Sequence, residues 1–279
     1  MQALNSLESN MVINFFFDVD GTILPFGKGM PKSAKRAMLK AQSLGHRLFL
    51  CTGRGLPELD PRLDEISFDG GVFSAGGYVE YKGKEVYKRQ FNQSEKEYVL
   101  SFASKYGLEL FVQTDRGTFF SSLAYDMWVR SLDKYVGGRL DIPNMQIVEE
   151  FPSDMVINKC MFFVTRDNMD DVKKNIDSNY TIVDNTVGLP QSMMAELVLT
   201  ELTKASGIDH MLSYLGQDKS SAVAIGDGAN DMEMVEYAGL GISMGNGSEA
   251  LKAVADYVTT DIEDDGLERA IEYALSHLG

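Results

Sequence analysis

Three short segments of this sequence carry residues that could do chemistry together: DVDGT at 18–22, LTKASG at 202–207 and GDGAND at 226–231. Asp18 and Asp20 flank a single residue in a glycine-containing turn, an arrangement in which one carboxylate can attack while the other shuttles a proton. Asp227 and Asp231 add two more carboxylates, and Lys204 adds a cation. Four clustered carboxylates repel one another unless a cation sits among them, and hard oxygen donors select magnesium over softer metals. Two other readings of the same letters fail on spacing. A calcium loop beginning at DVDG needs a further acidic residue before the glycine and a bidentate Glu at its end, where Gly29 stands. GDGAND resembles half of a dinucleotide fingerprint, but Asp231 takes the place of the last glycine, and no GxGxxG follows the first strand. An isolated Asp-Gly is most simply a helix cap; the combination is what departs from that reading.

The elements that must position these residues are legible around them. VINFFF (12–17) is a short apolar run suited to a strand buried on both faces, so Asp18 falls at a strand's C-terminal end. Ala34, Ala37, Met38, Ala41 and Leu44 recur at helical spacing between Pro31 and Gly45, and RLFLC (47–51) is the next strand, breaking at TGRG. YVEYKGKEVYKRQF alternates about Lys82-Gly83 as a hairpin. From Ser94 to Val187 the order changes to mixed helices and strands, with strands expected at 108–113, 118–123, 159–165 and 180–187. Trp128, the single tryptophan, reads as packing rather than as the rim of a pocket. From Glu196 the first pattern is expected to resume, with ELVLT, a helix that begins at Lys204, SAVAIGD, a helix from Asn230, LGISM and a final helix near Leu267. Strand ends of an open parallel sheet converge on one crevice, and the three segments lie at such ends or at helix starts.

Composition narrows the class. With 26 Lys and Arg against 41 Asp and Glu, the formal charge of −15 repels polyanions and argues against nucleic-acid binding, so any phosphate site must be made locally. Two cysteines, Cys51 and Cys160, are too few for a disulfide framework, and a reduced cytoplasm fits them best; Cys51 reads as inert packing. His46, His210 and His277 lack the spacing of a zinc site and read as surface residues. The opening MQALNSLESN lacks the features of a secretory signal, and no apolar run approaches a membrane span, so a soluble cytoplasmic protein is expected.

With these motifs in their order, the chain resembles the haloacid dehalogenase superfamily of phosphotransferases, in particular its Cof-like branch of sugar-phosphate phosphatases. DVDGT matches the family's first motif, Thr52 in CTGR its second, Lys204 in LTKASGI its third and GDGANDMEM its fourth. The resemblance implies that Asp18 is the nucleophile and that Asp20 protonates the leaving oxygen and later activates water. It implies that Thr52 and Lys204 hold the phosphoryl oxygens, that Gly53 and Asn230 line the phosphate site, and that Arg54 contacts either phosphate or cap. Asp18, the backbone carbonyl of Asp20, and Asp227 would bind Mg2+, with Asp231 supporting the metal site. Departures are SAGG at 74–77 where Asn-Gly is common, Ala205 in place of Gly, and Glu201 in place of a frequent Gly, with an altered turn expected before Lys204.

The expected fold is a doubly wound α/β parallel-sheet core over residues 1–88 and 189–279, with an inserted α+β cap over 89–188 that closes over the crevice and reads the substrate. The expected function is Mg2+-dependent hydrolysis of a small phosphorylated metabolite, a sugar phosphate or a related one, through an aspartyl-phosphate on Asp18. A phosphomutase using the same chemistry and a noncatalytic metabolite-binding protein are the alternatives.

Overall fold

Successive residues of β1 (Asn14–Phe17) alternate between two apolar layers. Phe15 and Phe17 pack with Ala34, Ala37 and Met38 of α1 (Lys32–Ser43), whereas Phe16 enters a separate cluster on the other face. A strand buried on both sides in this way must be central, which is why NFFF has no polar alternation. The computed structural model describes residues 11–136, 142–184, 189–190 and 192–278. The opening segment 1–10, the end of the strand expected to reach Val187, and residue 188, the expected end of the cap, lie outside the described residues.

The chain continues through β2 (Arg47–Cys51), β3 (Gly70–Phe73), β4 (Tyr78–Tyr81) and β5 (Lys84–Lys88). The β4–β5 hairpin turns at Lys82 and Gly83, both with positive φ (50° and 76°), as the two-residue turn needs. There follow α2 (Gln93–Tyr106), β6 (Leu108–Thr114), β7 (Gly117–Ser121), α3 (Ser122–Ser131), β8 (Gln146–Val148), β9 (Lys159–Val164), α4 (Met169–Asn175), β10 (Tyr180–Asp184) and β11 (Met194–Leu199). The last stretch comprises α5 (Lys204–Leu215), β12 (Ala222–Gly226), α6 (Met232–Tyr237), β13 (Leu240–Ser243), α7 (Glu249–Val254), β14 (Tyr257–Val258) and α8 (Gly266–Leu278).

These strands form two sheets. The larger runs β14-β13-β12-β1-β2-β3-β4-β5, parallel from β14 to β3 and antiparallel beyond. Because β1 pairs with β2 on one side and β12 on the other, the chain order reverses there, and the C-terminal ends of β1 and β12 bound a crevice. Helices α1 and α8 cover one face; Ile208, Met211, Met234 and Leu251, from α5, α6 and α7, cover the other. This is the α/β doubly wound core that the sequence implies.

The smaller sheet runs β10-β11-β9-β6-β7-β8. Here one expectation is corrected: β11, the strand within ELVLT that was to reopen the core, pairs with β9 and β10 in this second sheet. The reason is physical. Ala195, Leu197 and Leu199 pack into a cluster with α2 and α4, while Met194 packs into the opposite cluster with α3, so β11 is buried on both faces and reads like a core strand. Trp128 packs, buried, with Phe111 and Phe120, but it also lines a cavity, so the reading of it as packing rather than as a pocket residue is corrected. His46 is also corrected: it is buried, and its Nδ1 accepts from the backbone amide of Ile13. No helix among the described residues is long and apolar enough to cross a membrane.

The two-faced burial of β1 has a measurable consequence. Phe16→Ala should cost about 3–5 kcal/mol in denaturant unfolding, while Leu39→Ala, on the exposed side of α1, should change stability by about 0.5 kcal/mol or less. Similar losses for both would mean that β1 is not central to the core.

Candidate active site

Asp18 follows β1 directly, and its amide donates to Ile225 O of β12, so the carboxylate stands at the crevice between the two strands. The turn that follows is governed by Gly21. Its φ is +88°, and a Cβ there would lie 2.2 Å from Asp227 Oδ2, so only glycine lets the first turn close on the second acidic segment. Thr22 Oγ1 donates to Asp227 Oδ1 at 2.9 Å, fixing Asp227 against that turn.

Lys204 opens α5, where Thr203 caps the helix by accepting from Ser206 N. The loop before it is shaped by SAGG: Gly76, with φ +102°, approaches so closely that a Cβ would lie 2.2 Å from Thr203 O. From this position Lys204 Nζ donates to Asp18 Oδ1 and Asp231 Oδ1, both at 2.5 Å. Asp231 is buried, and its other oxygen accepts from the amides of Asp227 and Gly228, each at 2.9 Å. Both Asp231 oxygens are thus occupied. The Asp18 carboxylate has one hydrogen bond among the described residues, at Oδ1, from the lysine.

Electrostatics follow from this packing. Burial, reinforced by Asp231, Asp227 and Asp20, holds the Asp18 carboxyl well above the usual carboxylate range, with Lys204 opposing. Burial and then Asp231 push Asp227 up to about 7. For Lys204, burial works against the charged form, but Asp18 and Asp231 outweigh it and hold the ammonium above its ordinary value. One lysine does not balance three carboxylates. Asp18, Asp227 and Asp231 each offer an oxygen within 4.8 Å of the others, a donor set of hard oxygens whose mutual repulsion a divalent cation would relieve.

The structure brings the sequence-predicted residues to one place: Asp18, Asp20, Thr52, Gly53, Arg54, Asp227 and Asn230 line one cavity of about 30 Å³, and Lys204 lies behind Asp18. Thr52 Oγ1 accepts from Arg54 N at 3.1 Å, which leaves its hydroxyl hydrogen free to donate. The Asp20 carboxylate lies outside the three-acid group and is instead gripped by Arg54 through two 2.7 Å bonds, Nε to Oδ2 and Nη2 to Oδ1. Burial opposes the Arg54 charge, yet the Asp20 contacts raise its pKa. Glu201, in place of a frequent Gly, is largely exposed and accepts from Arg89 at 2.8 Å.

Sequence reasoning missed the second-sheet side of the site. A further cavity reaches from Asp20 and Arg54 to Glu58, Gln113, Lys159 and Glu196, with Trp128 and Met161 as apolar wall. Gln113, Lys159 and Glu196 project from β6, β9 and β11; Lys159 Nζ donates to Glu196 Oε2 at 2.8 Å, and the buried Gln113 Oε1 has no partner among the described residues. The signal was present as the polar residues Gln113, Lys159 and Glu196 within the apolar runs LELFVQT, KCMFFV and MAELVL, each of the three nearly closed to solvent. A wider crevice of about 490 Å³ reaches Lys204 and Asn230 past Thr181 and Val198.

Comparison with known proteins agrees with this geometry. Residues 15–271 match the family model of the haloacid dehalogenase-like hydrolases. A Bacillus subtilis (strain 168) protein named as a phosphatase, YkrA, is 27% identical over 264 residues, covering 95% of this chain and 96% of its own. From the same organism, the 5-amino-6-(5-phospho-D-ribitylamino)uracil phosphatase YcsE is 22% identical, covering 92% and 93%. The solved subclass IIB sugar phosphatase BT4131 superimposes with a TM-score of 0.77 at 26% identity, covering 94% of this chain and 98% of its own. The family model's match over nearly the whole length, together with relatives named as phosphatases, makes this chain a member of the haloacid dehalogenase-like hydrolases, among the Cof-like phosphoric monoester hydrolases.

Proposed function

We propose that the chain hydrolyses a small hydroxylated phosphomonoester, a sugar or polyol phosphate, in two steps through an aspartyl-phosphate on Asp18, with Mg2+ as cofactor. The observation that carries this reading is the pairing of a buried Asp18 with Lys204 at the β1/β12 crevice, with a single hydrogen bond on the carboxylate among the described residues. Lys204 orients the nucleophile and supplies positive charge beside the transferring phosphoryl oxygens; Thr52 donates its hydroxyl to another oxygen, and the Asn230 side chain faces the same cavity. Asp20 gives its proton to the leaving oxygen and then takes one from the attacking water. Asp18, Asp227 and the Asp20 carbonyl would hold the cation, while Asp231, with both oxygens engaged, fixes Lys204 and the amides of the fourth motif. Bound there, Mg2+ would neutralise phosphoryl charge and keep the carboxyls ionised.

The second sheet, from α2 through β11, acts in this reading as the cap that excludes water and reads the alcohol portion. Support for a hydroxylated substrate comes from Gln113 Oε1, a buried acceptor that needs a donor, beside the Lys159–Glu196 pair. The relatives named for a sugar phosphatase and for a phosphoribityl compound point the same way.

Asp18→Asn keeps the size of the side chain and should lower phosphate release by roughly a thousandfold or more without changing the folded content by circular dichroism. Asp20→Asn should still accept the phosphoryl group from a labelled 4-nitrophenyl ester but release it slowly, so rapid quench should find label on the protein. Near-native turnover of Asp18→Asn would refute the assignment. The raised Asp227 carboxyl gives a pH test: below about 7 it binds a proton that a cation must displace, so the half-saturating Mg2+ concentration should rise about tenfold per pH unit as pH falls through that range. A Mg2+ requirement that stays flat between about pH 5.5 and 8 would contradict it.

A further inference from the structure

Polar side chains of the second sheet land on one core segment, Gly53 to Glu58. Gln113 Nε2 donates to Gly53 O at 3.0 Å and to Glu58 Oε2 at 2.7 Å, and Lys159 Nζ donates to the same Gly53 carbonyl at 3.0 Å. Thr118 Oγ1 donates to Glu58 Oε1, and Asn144 Nδ2 donates to Pro57 O at 2.8 Å. Three strands and a loop therefore hold this segment, and Glu58, buried at 4% exposure, receives two of the bonds on its carboxylate. The same carboxylate accepts from Gly55 N at 3.0 Å, which ties it to its own loop.

That loop also encloses Arg54. Its Nη1 donates to Glu58 O at 3.0 Å, while Nε and Nη2 hold both oxygens of Asp20. A planar guanidinium fixed at one corner has little freedom at the opposite edge. Whether Asp20 can release an oxygen toward a leaving group therefore depends on where Arg54 is held, and Arg54 is held by Glu58. A buried carboxylate is expensive to maintain for packing alone.

We propose that Glu58 is a positioning residue that couples docking of the second sheet to the placement of Asp20: its carboxylate receives Gln113 and Thr118, and its carbonyl fixes Arg54, which orients the acid. Proton delivery to the leaving oxygen then depends on the docked arrangement, so that Asp20 is correctly aimed only when the substrate is enclosed. The inference rests on the reading of Asp20 as the general acid.

The test compares kcat/KM for phenyl phosphate and 4-nitrophenyl phosphate with Mg2+ present, because 4-nitrophenolate departs with little protonation and phenolate needs it. Glu58→Ala should lose about tenfold more activity on the phenyl ester than on the nitrophenyl ester. Glu58→Gln, whose amide can accept from Gly55 and Gln113 and donate to Thr118, should keep the wild-type ratio within about threefold. If Glu58→Ala fails to fold, Gln113→Leu/Thr118→Val removes the same two donors and should give the same selective loss. Equal losses on the two esters, in whichever of these variants folds, would overturn the role of Glu58 provided Asp20→Asn itself is selective. If Asp20→Asn affects both esters equally, the assignment of the acid falls, and this proposal falls with it.

Discussion

The site depends on one charge relationship: a single buried lysine shared by two buried carboxylates. Lys204 is taken out of water together with Asp18 and Asp231, and burying any of the three alone would be strongly unfavourable. Their mutual contacts make the arrangement possible but leave an excess of negative charge, which together with burial holds the pKa values of Asp18 and Asp227 above the usual carboxylate range. That excess suits the pocket to a hard cation, and in the proposed reading it is through that cation that a phosphoryl group is accepted by a chain whose formal charge is −15. The positive field that a phosphate ester needs would have to be local, built from Lys204 and the cation these oxygens would hold.

Everything around this cluster serves its geometry. The parallel pairing of β1 with β12 brings Asp18 and Asp227 to one crevice from positions some two hundred residues apart in sequence, and the strand-order reversal at β1 keeps helices from covering it. Gly21 permits the close approach of the two acidic turns, and Gly76 seats the loop from which Lys204 projects. Asp231 works through its hydrogen bonds: it holds the lysine with one oxygen and the loop amides with the other. The second sheet brings a different chemistry, a polar row of Thr118, Gln113, Lys159 and Glu196 beside an aromatic wall. The chain is a phosphoric monoester hydrolase of its family, and in the proposed reading the charged cluster takes the phosphate while this polar and apolar surface takes the rest of the ester.

The core was legible in the sequence because its signals are local. Short apolar runs that stop at Asp-Gly or Thr-Gly mark strand ends, and Ile208, Met211 and Leu212 at helical spacing mark the buried face of α5, so Lys204 could be placed at a helix start. The second sheet was less legible. A central antiparallel strand covered on both faces, such as β11, has the same continuous apolar pattern as a parallel core strand, and only its partners β9 and β10 tell them apart. Gln113, Lys159 and Glu196 were hidden because a polar residue in a buried strand has meaning only through what faces it, and that comes from β6, β9 and β11 together. Arg54 was similarly open: the sequence placed it beside Thr52, but not its two bonds to Asp20.

The central claim is that the phosphoryl group passes through Asp18 rather than directly to water. Each in-line displacement inverts phosphorus, so two successive displacements restore its configuration. Hydrolysis of an isotopically chiral thiophosphate ester in heavy-oxygen water, with the configuration of the product thiophosphate then determined, reads this directly. The account predicts net retention; net inversion would mean that water attacks the ester in one step and that Asp18 is not the nucleophile.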